Sequence, residues 1–193
     1  MASPKRDLET LAAALTAQNE RRLPPVSQWN PPDRGDLDMR IARDGTWYYL
    51  GSSIKRPAMV RLFSTVLRRD EDDRFYLVTP VERFAITVED APFVALELFI
   101  EGTGDDQILT FRTQVNDYVR ADAAHPIRVD IDPQSAEPAP YLLVRDRLEA
   151  LISRSVFYEL VDLSVDRDVD GISTLGVWSA GCFFAIGPNP ENE

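Results

Sequence analysis

The sequence is poor in the two side chains that carry most enzyme chemistry: it has one cysteine, Cys182, and one histidine, His125. A lone cysteine excludes an internal disulfide framework and a thiolate metal cluster built within one chain. Any Ser-His-Asp triad or histidine metal site would have to use His125. That residue lies in a loop-like stretch before Pro126, so a turn or surface role is the expectation. An excess of positive charge is missing as well. Lys and Arg number 21 against 32 Asp and Glu, a formal net charge of −11. This excludes a general nucleic-acid binder, because phosphate backbones are held by positive fields, and it argues against an anionic membrane surface as partner. Long hydrophobic runs are absent too. The most apolar stretch, Leu175 to Gly187, is too short to cross a bilayer as a helix. At the N-terminus, Asp7 and Glu9 interrupt MASPKRDLETLAAAL before any signal-like apolar core. A cytoplasmic protein is expected, with no cofactor and no metal.

What is present is ordinary for a globular chain: 44% hydrophobic and 27% charged residues in 193, enough to bury a substantial core. A helix is expected from Leu8 to Gln18, with Asp7 as N-cap and Leu8, Leu11, Ala12 and Leu15 on one face. Pro24-Pro25 and Pro31-Pro32 bracket an extended arm carrying Trp29, since proline lacks the donor that a helix or central strand needs. From Asp36 a strand pattern starts, with Leu37, Met39 and Ile41 alternating with Asp38 and Arg40. Asp44-Gly45 marks a hairpin, returning through Thr46 to Leu50. Pro57 then opens a helix with the apolar stripe Met59, Leu62, Phe63, Val66 and Leu67. Phe75 to Thr79 reads as a strand and Pro80 as a tight turn. Arg83 to Glu89 is a second strand in which Phe84, Ile86 and Val88 alternate inward.

The second half begins with a strand at Phe93 to Glu101, a turn at Gly102 to Asp106, and a return from Gln107 to Thr113. Ile127 to Ile131 and Tyr141 to Val144 are further strands, around a proline-rich insert from Pro133 to Pro140. Asp146 and Glu149 resemble a capping box opening a helix, and strands are expected at Phe157 to Val165, Ile172 to Ser179 and Cys182 to Ile186. Adding 89 maps Ile54, Arg56, Met59, Leu62, Phe63 and Leu67 onto Leu143, Arg145, Leu148, Leu151, Ile152 and Val156. At an offset of 82, Phe75-Tyr76 maps onto Phe157-Tyr158. The seven residues between the offsets match the acidic loop Arg68 to Arg74. The expectation is an internal duplication of a hairpin, helix, strand, strand unit. The resulting fold class is α+β, with two lobes, mostly antiparallel sheets and three helices. The domains expected are an N-terminal helix and arm over 1–34, one lobe over 35–92 and a second over 93–193.

Three stretches taken together, DGTWYYLGSSIKRPAMVRLF, YLVTPVERFAITVEDAPFVA and VRDRLEALISRSVFYELV, resemble the bacterial family known as domain of unknown function 1285. The resemblance runs over nearly the whole chain. It implies a duplicated core whose C-terminal half is superficially similar to a pleckstrin-homology domain. It also implies a ligand site, for a nucleotide-like molecule, at the interface between lobes, and a signalling role. The family brings no established activity and no catalytic residues to carry over.

Several motifs have bland readings that are stronger. Asp166, Asp168, Asp170 and Gly171 copy the opening of a calcium loop, but Val177 stands where a bidentate glutamate is needed, so Asp170-Gly171 is read as a hairpin turn. Gly176 to Gly181 resembles a nucleophile elbow with one residue too many and no following helix. Gly102-Thr103-Gly104 lacks the lysine of a phosphate loop. Cys182 sits in the apolar run AGCFFAIG, as a buried inert thiol would. Glu82, Glu89 and Asp90 would serve as acid and base only if they converge; capping, turn-stabilising and arginine-pairing roles are the stronger reading.

The remaining constellation is cationic and aromatic. Lys55 and Arg56 precede one expected helix and Arg145 the other, where helix N-termini favour anions. Trp47 and Tyr49 share a strand face and would stack on a planar base, and Glu82, Arg83 and Arg154 complete the candidate set. Three readings follow. The first is a non-catalytic sensor that binds a small anionic, nucleotide-like ligand between lobes. The second is an interaction module that docks a protein partner through an acidic face or open sheet edge. The third is a carboxylate-dependent hydrolase or transferase using Glu82 or Asp90.

Overall fold

Most strand-to-strand reversals among the described residues carry glycine, proline or aspartate, and the elements between them are mostly strands. The computed structural model describes residues 23–131 and 137–188. The helix expected over Leu8 to Gln18 lies outside the described residues. The chain divides into two units, Met1–Asp90 and Ala91–Glu193.

In the N-terminal unit, a short 3-10 turn at Val26–Gln28 precedes β1 (Asp33–Ile41), β2 (Trp47–Tyr49) and β3 (Ser52–Ser53). Helix α1 (Pro57–Thr65) then leads to β4 (Leu67–Arg69), β5 (Phe75–Val78) and β6 (Arg83–Val88). The Asp44-Gly45 turn forms as its chemistry dictates: Gly45 takes φ +82° and the Asp44 carboxylate accepts the Thr46 N–H at 2.9 Å. Pro57 occupies the first helical position, where its missing N–H costs nothing. The sheet runs β3-β2-β1-β6-β5-β4, antiparallel except for the central β1–β6 pair, which is parallel.

The proline-bracketed arm is a strap on this sheet. Trp29 packs against buried Tyr76, Val78 and Ala85, and the Arg68 guanidinium donates to the Val26 and Trp29 carbonyls at 2.7 Å each. This explains a departure in β6. The alternation of Phe84, Ile86 and Val88 predicts one buried face, yet Ala85 and Ile86 are the two most buried residues of β6. Trp29 covers the second face, so the period-2 signal is blurred.

The C-terminal unit contains β7 (Phe93–Glu101), a 3-10 turn at Gly104–Asp106, β8 (Ile108–Thr113), β9 (Tyr118–Arg120), β10 (Ile127–Ile131), β11 (Pro138–Arg145) and β12 (Leu148–Ile152). Helix α2 (Arg154–Asp162) and the strands β13 (Val165–Val169), β14 (Ile172–Ser179) and β15 (Cys182–Pro188) complete it. The larger sheet runs β10-β11-β12-β7-β8-β9, with β12 and β7 parallel, and β13-β14-β15 form a separate antiparallel sheet. The Asp170-Gly171 turn joins β13 to β14, with both residues at positive φ.

The helix expected from Asp146 is instead the second strand of a hairpin. Leu148, Ala150 and Ile152 are buried while Glu149 and Leu151 are partly exposed, a period of two, and Ala150 pairs with Phe93. The positions 148, 151 and 152 also satisfy helical spacing, which is why the pattern misleads. Asp146 is no cap: it takes φ +46° in the turn. The strand expected from Phe157 is α2, which buries Val156 and Leu160 one turn apart.

The offsets of 89 and 82 therefore align unlike elements. They place α1 over β12 and the turn that precedes it, and β5 over α2. The repetition that exists is one of sheet topology. Both six-stranded sheets have two three-stranded meanders joined by a parallel pair between the first and last strand. First strands start 60 residues apart (Asp33, Phe93) and last strands 65 apart (Arg83, Leu148). The helix lies between the meanders in the N-terminal unit and after the second in the C-terminal one. The architecture is α+β with two described helices, and no helix among the described residues is long and apolar enough to cross a membrane.

Candidate functional site

The start of α1 is built by three constraints. Arg56 precedes proline and is held extended (φ −95°, ψ 105°). The Ile54 N–H donates to the Trp47 carbonyl at 2.8 Å, fixing the approach, and the Arg56 carbonyl accepts from the Met59 and Val60 N–H groups. Lys55 and Arg56 are both exposed, and neither forms an ion pair among the described residues. No side chain caps this terminus and no acid lies in its first turn. Helix dipoles favour anions here, so two cations and no carboxylate leave a positive end uncompensated.

Trp47 and Tyr49 do not serve as a stacking face. Trp47 is 1% exposed, stacked 6.3 Å from Phe63 under α1, and Tyr49 is buried beside it. Their shared strand face is the core face, which large aromatics favour. The Trp47 indole N–H is buried without a hydrogen-bond partner among the described residues.

Arg83 is engaged within its own sheet. It donates to Asp70 at 2.7 Å, lies 3.7 Å from Asp33 and covers the Tyr76 ring at 4.7 Å. Asp70 also binds Arg68. Beside this network the Tyr76 hydroxyl donates to Asp72 at 2.7 Å, which lowers the Asp72 carboxyl and raises the Tyr76 phenol from their ordinary values. Glu82 meets Arg34 at 3.7 Å and closes the turn through its carbonyl, which accepts from Thr79. Glu89 binds Arg40, and Asp90 binds Arg43 at 3.0 Å. β6 separates Glu82 from Glu89 by roughly 20 Å of extended chain, so these two carboxylates do not form an acid–base pair.

In the C-terminal unit, Arg145 ends β11 and so does not precede a helix. It binds Asp117 at 2.9 Å and lies over Phe93 at 4.9 Å. The cation at a helix start is Arg154, the first residue of α2, exposed and 3.5 Å from Glu137. His125 contacts Asp122 at 3.1 Å in a turn. Burial pushes the Asp122 carboxyl up, but hydrogen bonds from His125 and backbone N–H groups outweigh it and leave it below its ordinary value. Ser179 is buried: its hydroxyl donates to the Ala121 carbonyl and accepts the Leu109 N–H. Gly176 is a packing residue, since a Cβ there would lie 2.3 Å from the Phe183 ring. The described residues contain no group of three or more His, Cys, Asp or Glu suited to a metal.

A feature that sequence reasoning missed is an apolar recess of about 210 Å³ in the C-terminal unit. Phe157 and Val161 of α2 form one wall, with Ile131, Pro138, Leu175 and Ile186 around them. Reading Phe157 to Val165 as a strand hid the helical spacing of those two residues.

The family model described as "Domain of unknown function (DUF1285), N-terminal domain" matches residues 24–91, and "Protein of unknown function (DUF1285), C-terminal domain" matches residues 92–186. A crystal structure of a DUF1285 family protein from Silicibacter pomeroyi DSS-3 is 52% identical, with a TM-score of 0.85, over 94% of this chain and 96% of that one. A second, from Shewanella baltica OS155, is 24% identical with a TM-score of 0.51, over 65% of this chain and 91% of that one, and shows the fold alone. No curated protein matches.

Proposed function

The chain belongs to the DUF1285 family, and within it we propose a non-catalytic binding protein for a small anionic ligand, of which a nucleotide-like molecule is one kind. The observation that carries this reading is the uncapped start of α1, where Lys55 and Arg56 stand exposed in a chain of net charge −11. Cations at a helix N-terminus oppose the dipole by about 0.3–1 kcal/mol each. An anion seated on them reverses that sign, and the adjacent free N–H of the first turn adds a donor. Arg83 and Arg145 support their own sheets in this reading and do not touch the ligand. Because Trp47 and Tyr49 lie in the core, recognition rests on charge and hydrogen bonding, which makes it salt-sensitive. A signalling role and a pleckstrin-homology-like C-terminal half belong to the same reading and rest on the family resemblance alone; a cytoplasmic location is a further part of the proposal.

The test is a thermal-shift series with inorganic phosphate, pyrophosphate and nucleoside mono- and diphosphates. A ligand at a hundredfold excess over its Kd adds about 2.7 kcal/mol, which raises Tm by about 5–10 °C for a chain of this length. Replacing Lys55 and Arg56 by alanine should remove the shift, while Arg145→Ala should lower the starting Tm and leave the shift in place. A shift that survives the double replacement, or no shift with any of these anions, would overturn the reading.

A further inference from the structure

Strand β13 is an open edge. It ends the β13-β14-β15 sheet, and β15, with β10 beside it, lies on the far side of β14. All five residues of β13 are exposed, and no other edge strand among the described residues is exposed throughout. No described residue outside the sheet hydrogen-bonds to its backbone. Such a row of unpaired N–H and C=O groups is a template for another extended chain.

The register with β14 fixes which way each side chain of this edge points. Val165, Arg167 and Val169 share a face with Ile172, Thr174 and Gly176; Asp166 and Asp168 share the other with Ser173 and Leu175. The two aspartates are held in place, since Asp166 accepts the Ser173 hydroxyl at 2.6 Å and Asp168 the Gly171 N–H at 2.8 Å. Neither forms an ion pair among the described residues. Arg167 lies 5.0 and 5.1 Å from the rings of Trp178 and Phe183. The edge therefore reads apolar, acidic, basic, acidic, apolar, and the same in reverse. A second copy is a poor match for it. In an antiparallel self-pair centred on Arg167, Asp166 faces the second copy's Asp168 and Arg167 faces its own equivalent. Centring the pair on Asp166 or Asp168 sets that aspartate against itself. Like charges directly opposite are destabilising, so the charges that fend off a copy select a chain of the complementary pattern.

We propose that β13 docks an extended segment of a partner protein as an added antiparallel strand, with lysine or arginine opposite Asp166 and Asp168, an acid opposite Arg167 and apolar residues opposite Val165 and Val169. This edge is separate from the anion site at Lys55 and Arg56 and does not depend on it. Main-chain hydrogen bonds give the affinity and the opposed side chains the specificity.

The test titrates the full chain with a fluorescent peptide carrying Val-Lys-Glu-Lys-Val between threonines, and with its charge-swapped counterpart, Val-Glu-Lys-Glu-Val. The first should bind at least about tenfold tighter, because all three opposed pairs become like-charge pairs in the second, and added salt should narrow the gap. Methylating alternate backbone nitrogens blocks one edge of the peptide. One phase of methylation should abolish binding and the other leave it, which a contact without strand pairing would not show. Amides of β13 should gain protection from hydrogen exchange in the complex. Asp166→Asn with Asp168→Asn keeps acceptors for Ser173 and Gly171, and should remove most of the preference between the peptides. Equal binding of the two peptides, or an equal effect of both methylation phases, overturns the proposal. So does binding of neither peptide. A dimer of the free chain with its β13 amides already protected would also overturn it, assigning the edge to a second copy.

Discussion

A guanidinium placed in a chain with 32 carboxylates has many nearby competitors for any ligand, and this decides which candidate cations remain available. Arg83 and Arg145 each lie against a carboxylate and over an aromatic ring of their own unit; Lys55 and Arg56, on an acid-free turn, do not. Spacing in the sequence placed the cations but was silent on their partners, because Asp70 and Asp117 are 13 and 28 residues away. Arg68 shows the same limit. A residue of β4, it holds the strap by two carbonyls and binds Asp70. Arg68→Ala should cost about 2–4 kcal/mol and expose the strap around Trp29 to protease; unchanged Tm and unchanged cleavage would refute that role. Tyr76→Phe should return the Asp72 carboxyl toward its ordinary value, read from its carbonyl carbon shift in a pH titration.

At the level of elements, turn chemistry was the reliable signal and apolar periodicity the ambiguous one. Asp44-Gly45 and Asp170-Gly171 turn where their residues allow positive φ. The run from Leu148 to Ile152 fits both periods, and pairing with β7 decides for the strand; that partner lies more than fifty residues earlier. Helix α2 was missed for the complementary reason, since β-branched and aromatic residues at 156–158 read locally as strand. Two substitutions separate these outcomes. Asp146→Gly should hold or raise Tm because the residue sits at φ +46°, whereas at a helix N-cap it would cost a few tenths of a kcal/mol. Gly176→Ala should destabilise by about 1–3 kcal/mol, and trimming Phe183 to leucine should restore only part, because the Phe184 carbonyl would still lie 2.6 Å from the new Cβ.

Over the whole molecule, the sequence motifs were enough to find the family, and self-similarity found a duplication in the wrong register. Helix–hairpin likeness at an offset of 89 is a coincidence of arginine and leucine spacing. The true repeat leaves little sequence trace, because strand order is set by pairing and not by residue identity. Acid sensitivity is also a property of the sum. Asp72 and Asp44 accept local hydrogen bonds, as does Asp122 against the effect of burial, and Glu97 binds Arg112; all four carboxyls lie below their ordinary values. Groups lowered on folding add stability above their unfolded values and lose it as pH falls through the folded ones. Chemical denaturation should therefore show a flat profile near neutrality and a decline beginning near pH 4.5; an unchanged midpoint at pH 3 would contradict these assignments. The strand order has a last consequence, for synthesis. Since β1 must wait for β6, and β7 for β12, a ribosome delivers more than forty residues after each opening strand before its central neighbour begins. The aggregation-prone interval in each unit is thus set by translation speed, and slowing elongation between Ile41 and Val88 should lower the soluble yield.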